Sequence, residues 1–149
     1  MFPFHIRPDE IIGEIQTFNS KLAQGLHTLA EVGDIEVGVS PKEVVYQEDK
    51  LVLYRFKPRT KKQNPVPVLI VYALVNRPYM ADLQEGRSIV QGLLDAGLDI
   101  YLIDWGYPDG GDQFLTLDDY INGYIDRCVD VLRKNHRVEK INLLGICQG

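Results

Sequence analysis

Residues 68–73, Val-Leu-Ile-Val-Tyr-Ala, form a continuous run without a charged side chain. A run of strand length with no apolar–polar alternation belongs to a strand covered on both faces, the situation of a parallel sheet. Parallel strands need long crossovers, most simply helices, and the sequence that follows supplies them. Ser88, Ile89, Val90, Leu93, Leu94 and Ala96 recur at helical spacing and stop at Gly97, a suitable C-cap, before a second apolar strand at residues 100–104. Beyond a Gly- and Asp-rich loop over residues 105–114, Thr116 with Asp119 three positions on predicts a helix start. Leu117, Ile121, Tyr124, Ile125, Cys128 and Leu132 then form one apolar stripe that ends near Asn135, and residues 140–144 are a third apolar strand. Strand, helix, strand, helix, strand in this order predicts an α/β fold with right-handed crossovers.

Upstream, Ile11, Ile12, Ile15, Phe18, Leu22, Leu26 and Leu29 share one face of an amphipathic helix over residues 9–30. Residues 44–46 and 51–56 read as two strands joined by a polar turn through Glu48, Asp49 and Lys50, hence a β-hairpin. Residues 58–65 are a Lys- and Pro-containing surface loop. This divides the chain into an N-terminal helical segment, residues 1–40, and an α/β portion, residues 41–149. The longest nearly apolar stretch, residues 66–75, contains Pro67 and is about half of the ~20 residues a spanning helix needs, so no membrane span is expected. The N-terminus lacks the basic, apolar and small-residue order of a secretory signal, and a cytoplasmic location is the expectation. A net charge of −5 with one basic cluster, residues 57–62, argues against a nucleic-acid partner. Two cysteines, Cys128 and Cys147, make no disulfide framework and have no zinc-site spacing, so no metal is expected.

The chemistry concentrates at residues 145–149, Gly-Ile-Cys-Gln-Gly, directly after the last apolar strand. Gly-x-Cys-x-Gly in that position is the pattern of a nucleophile elbow, and it narrows the expectation to an α/β-hydrolase fold. There the central residue sits on a strained turn, and side chains at Gly145 and Gly149 would collide with the neighbouring strand and helix. Cys147 is therefore the candidate nucleophile. A thiol in place of a hydroxyl suits acyl transfer from a coenzyme thioester, because thioester exchange keeps the acyl group activated for onward passage to an alcohol. Oxyanion-hole amides are expected from Gln148, which follows the nucleophile, and from the segment after the first parallel strand at Val75. In this fold the acid and histidine of the triad follow the nucleophile, and His5, His27 and His136 all precede it. Asp104, at a strand end before the nucleophile, reads as a loop-fixing residue, and Cys128 on its apolar stripe as a small buried hydrophobe.

Four stretches carry a family resemblance: residues 72–80 (YALVNRPYM), 101–108 (YLIDWGYP), 117–124 (LDDYINGY) and 145–149 (GICQG). Together they resemble the catalytic subunit of the two-subunit, class III polyhydroxyalkanoate synthases (PhaC type), and the resemblance runs over the whole chain. It implies that Cys147 carries the growing polyester and that Gln148 and Val75 offer the oxyanion-hole amides. It implies a short-chain (R)-3-hydroxyacyl-CoA such as 3-hydroxybutyryl-CoA as substrate, with coenzyme A as part of the substrate and no cofactor besides. From the family alone come a second synthase subunit (PhaE type), a homodimer, and a location at the surface of cytoplasmic polyester granules. The family continues past the elbow with further strands, a cap region and the catalytic Asp and His. The expectation is thus an incomplete α/β-hydrolase fold, the N-terminal half of a mostly parallel sheet, inactive by itself. The alternatives are an acyl-CoA thioesterase or other α/β-hydrolase, in which water takes the acyl group, and a non-catalytic assembly fragment.

Overall fold

The computed structural model describes residues 8–32 and 37–149. His5 lies outside the described residues, as do the side chains of Ile11 and Leu29 in the N-terminal apolar stripe. The chain divides into two compact units, Met1–Ile35 and Glu36–Gly149. The first unit contains helix α1 (Pro8–Val32), with the stripe residues Ile12, Ile15, Phe18, Leu22 and Leu26 each at least half exposed.

The second unit is built on strands β1 (Lys42–Glu48), β2 (Leu51–Phe56), β3 (Val68–Val71), β6 (Ile100–Asp104) and β7 (Asn142–Gly145), with a two-stranded ribbon of β4 (Asp82–Gln84) and β5 (Arg87–Ser88) beside the sheet. Helix α2 (Ile89–Asp95) connects β5 to β6, and α3 (Asp126–His136) precedes β7. The sheet order is β1-β2-β6-β3-β7. The hairpin turns at Asp49, which takes a left-handed φ of 51°, and β2 joins β6 antiparallel. The β3–β6 and β3–β7 pairs are parallel. The crossover from β3 to β6 and that from β6 to β7 run in opposite directions along the sheet, so crossovers of one hand fall on opposite faces.

This explains the missing alternation in the apolar runs. Leu69, Val71, Tyr101 and Ile103 point to one face and pack with Leu51, Leu53, Cys128 and Leu132. Val68, Ile70, Ile100 and Leu102 point to the other and pack with Phe56, Ala81, Val90 and Leu94. Each such fully buried aliphatic side chain contributes about 1.5–3 kcal/mol of transfer free energy before entropy is counted. Helix α2 stops as expected at Gly97, which takes a φ of 81° just past its end, whereas Ser88, read from the sequence as part of the helix, caps it instead, its Oγ accepting from Gln91 N at 2.9 Å.

Two expectations are corrected. The first apolar run leaves the sheet after Val71 because the Tyr72 carbonyl is taken by the Trp105 indole N–H at 3.0 Å instead of a ladder partner. The helix expected from Thr116 does begin with a reciprocal cap, Thr116 N to Asp119 Oδ2 at 2.7 Å and Asp119 N to Thr116 Oγ1 at 3.4 Å. Residues 119–125 then wind as a π-helix before α3. The wider turn breaks the 3.6-residue phase. Leu117 and Ile121 consequently stand 66% and 48% exposed, and Tyr120 turns inward to meet Trp105 edge-on, with centroids 5.3 Å apart.

Candidate functional site

β6 lies on one side of β3 and β7 on the other, so the direction of winding reverses at β3. Ligands of open parallel sheets bind outside the strand C-termini at such a point. Three segments leave there: residues 72–77 after β3, residues 105–109 after β6 and residues 146–149 after β7.

The last of these is a tight turn. Register places Val71 opposite Gly145, and Ile146 N continues the ladder to the Val71 carbonyl at 3.0 Å. Gly149 N then donates to the Ile146 carbonyl at 3.1 Å, closing the turn around Cys147 and Gln148. Cys147 has a φ of 61°, a left-handed conformation that costs a side-chain-bearing residue about 1–3 kcal/mol. The flanking positions leave no room for a β-carbon. One at Gly145 would stand 2.7 Å from the carbonyl carbon of Gly149, and one at Gly149 would stand 2.6 Å from the carbonyl carbon of Val71. The Cys147 thiol and Gln148 are exposed.

Val75 is 83% exposed in the segment that leaves β3 beside the turn, so strand register brings residues 72–75 and 146–149 to one edge of the sheet. A cavity of about 190 Å3 opens next to this segment, lined by Leu74, Val75, Trp105, Pro108, Leu115 and Tyr120 among others. Lys50 holds its rim, paired with Asp109 at 2.8 Å and with Asp112. These contacts raise the Lys50 pKa, hydrogen bonding to Asp109 first, and hold the Asp109 and Asp112 carboxyls below the usual range.

The two sulfurs differ sharply. Cys128 is fully buried in the core, and burial, with the Glu48 charge adding to it, pushes its thiol up to about 12. At neutral pH it is a small apolar side chain. Asp104 accepts from Gly106 N at 3.0 Å, which fixes the start of the loop after β6. His136 ends α3, hydrogen-bonded with the Tyr101 hydroxyl at 2.7 Å and 3.5 Å from Asp99. Asp99 directly precedes β6, at the sheet edge opposite Cys147, so the structure does not bring His136 to the thiol. His27 belongs to the helical unit. Among the described residues no group of three or more His, Cys, Asp or Glu is placed to hold a metal ion, and no helix is long and apolar enough to cross a membrane.

Two buried carboxylates escaped the sequence reading. Asp99, 4% exposed at its side chain, takes a forked pair from Arg55 at 3.1 and 2.9 Å. This raises the arginine pKa, and burial, followed by the Asp99 charge, lifts Tyr101 to about 12. The signal was Arg55, a lone cation in an apolar strand. Asp82 accepts from Ser40 N at 2.8 Å, Ser40 Oγ at 2.7 Å and Ser88 Oγ at 2.6 Å, tying the entry to β1 and the start of α2 to one carboxylate. Nothing in the local sequence announces that convergence.

Comparison with known proteins bears on the whole chain. Residues 10–93 match the family model "Poly-beta-hydroxybutyrate polymerase (PhaC) N-terminus", and residues 66–149 match that of the alpha/beta hydrolase fold. The chain is 62% identical over its full length to the poly(3-hydroxyalkanoate) polymerase subunit PhaC of Allochromatium vinosum and 59% identical to that of Thiocystis violacea. It spans 42% of the length of each of these relatives. Among solved structures, the Francisella virulence factor BioJ superposes with a TM-score of 0.50 at 17% identity, covering 84% of this chain and 40% of BioJ, a likeness of fold alone. The parallel sheet, the turn after β7 and these matches agree: the chain belongs to the family of poly-β-hydroxybutyrate polymerase (PhaC) N-termini and has the α/β hydrolase fold.

Proposed function

We propose that this chain supplies the nucleophile and oxyanion-hole amides of a poly(3-hydroxyalkanoate) polymerase, an acyltransferase that joins (R)-3-hydroxyacyl units from coenzyme A thioesters into a polyester. The observation that carries this reading is Cys147 itself: an exposed thiol at a φ of 61°, on a turn whose flanking glycines cannot be replaced without backbone movement. A strained, outward-facing thiol beside strand ends is poor economy for a structural cysteine and suits attack on an acyl carbonyl.

In this mechanism the Cys147 thiolate adds to the thioester carbonyl carbon. The resulting oxyanion is met by the backbone N–H groups of Gln148 and Val75. Collapse expels coenzyme A, which takes up the proton lost from Cys147. The 3-hydroxyl of another unit then attacks the enzyme thioester carbonyl, the carbon–sulfur bond breaks as the ester forms, and the hydroxyl proton returns to the Cys147 sulfur. Thioester is exchanged for oxygen ester with no change of oxidation state, so the reaction calls for no redox cofactor. His136 is engaged at the far edge of the sheet, and the histidine and carboxylate that activate the thiol are assigned to the remainder of the complete subunit. The family assignment supports extending the proposal to 3-hydroxybutyryl-CoA as a substrate, a PhaE-type second subunit, a homodimer and work at the surface of cytoplasmic polyester granules.

The test is product analysis with 3-hydroxybutyryl-CoA on the complete enzyme and its Cys147→Ala variant. The wild type yields polymer and the variant neither an acyl-enzyme nor polymer. Free 3-hydroxy acid in place of polymer assigns a thioesterase, and turnover by Cys147→Ala removes this residue from the chemistry.

A further inference from the structure

We propose that Arg77 is a positioning residue that sets the segment carrying the Val75 amide, by stapling it to the loop after β6. This inference rests on the reading of Cys147 and Val75 above.

The segment 72–77 has two attachments to the loop after β6. At its start the Trp105 indole N–H holds the Tyr72 carbonyl at 3.0 Å. At its end Arg77 Nη1 donates to the Gly106 carbonyl at 2.7 Å, and the guanidinium lies over the Tyr107 ring, 3.6 Å from its centroid. The recipient is itself fixed, since Gly106 N donates to Asp104 Oδ1 at 3.0 Å. The Arg77 backbone is equally anchored: its amide donates to Asn76 Oδ1 at 2.8 Å, and its carbonyl accepts from Met80 N at 3.1 Å, opening the short 3₁₀ helix Pro78–Ala81. Between the two attachments lies Val75, 83% exposed, in the segment that leaves β3 next to the strand carrying the Cys147 turn.

The Arg77 guanidinium is buried at its Nε, so the staple is part of the packed structure at the base of the segment. Arginine suits the task because its planar fork donates and stacks at once, and a lysine has no plane to stack. An oxyanion donor must be held within a few tenths of an ångström, and the staple supplies that restraint.

The test compares two reactions of the same sulfur in the complete enzyme. Acylation by 3-hydroxybutyryl-CoA uses the oxyanion hole; alkylation by iodoacetamide does not. Arg77→Met is expected to slow acylation and lower kcat on the order of 10- to 100-fold, with KM and the alkylation rate within about twofold of wild type, and Arg77→Lys is expected to recover only part of the loss. Tyr107→Ala, at a ring 71% exposed, removes the stack without touching the core and is expected to slow acylation several-fold on its own; it decides the matter if Arg77→Met does not fold. Unchanged acylation in the variants overturns the inference while leaving Cys147 as nucleophile, provided Cys147→Ala is dead. Acylation and alkylation falling together would also overturn it, by showing that Arg77 merely holds the turn together. Turnover by Cys147→Ala overturns both readings.

Discussion

The two cysteines allow a sharp test, because the structure puts them in opposite environments on one short chain. Cys128 is fully buried among Leu53, Leu69, Val71, Tyr101 and Leu132, and its thiol pKa is about 12. At about pH 8 only about one Cys128 in 10⁴ is a thiolate, against about a quarter of the thiols of an unperturbed cysteine with a pKa near 8.5. Ionisation alone therefore slows alkylation of Cys128 by about three orders of magnitude, and burial slows it further because the core must open first. Treatment of the folded chain with iodoacetamide, followed by peptide mapping, should give a single label on Cys147. Cys128 should react only when denaturant unfolds the chain. Its residual native rate should rise about tenfold per pH unit, a slope that continues until the pKa near 12 is approached. Labelling of Cys128 at a rate near that of Cys147, or a pH profile flat above pH 9, would refute both the burial and the desolvation argument.

Gly145→Ala should destabilise the α/β unit by about 1–3 kcal/mol, since its β-carbon would stand 2.7 Å from the Gly149 carbonyl carbon and overpacking of backbone has that cost. Gly92→Ala in α2 should instead stabilise it by about 0.5–1 kcal/mol, because nothing lies within 4 Å of the added methyl and alanine is the better helix former; urea midpoints of the two variants check both signs. Glu48 accepts from Arg127 Nε at 2.6 Å and from the Tyr46 hydroxyl at 2.7 Å, and the arginine contact, ahead of the tyrosine, holds its carboxyl below the usual range against desolvation. A depressed folded pKa contributes stability that is present above the unfolded value, about 4.3, and is lost as pH falls through the folded value. Glu48→Gln should thus flatten part of the acid limb of a stability–pH curve, by about 1 kcal/mol or less for a partly exposed pair, and leave stability below that limb unchanged.

Much of this protein was legible along the chain because the relevant physics is local or periodic. The unbroken apolar run at 68–71 and its counterpart at 100–103 announce strands buried on both faces, and the two halves of the core meet them. Gly97 marks a helix end through its backbone freedom. Gly-Ile-Cys-Gln-Gly after a strand places the thiol and names the two positions where a β-carbon has no room. Only the tertiary structure decided the rest. Tyr72 leaves the sheet because a side chain 33 residues away takes its carbonyl, and the stripe begun at Leu117 slips because a π turn presents Tyr120 to Trp105. Asp82 gathers Ser40 and Ser88, and Arg77 reaches Gly106 and Tyr107, although neither pairing has a spacing that a periodic reading can detect. Propensity and pattern are properties of neighbours in sequence. A buried carboxylate or a stapled loop is satisfied by whichever groups the strand order brings within hydrogen-bonding distance, and that order exists only once the sheet has formed.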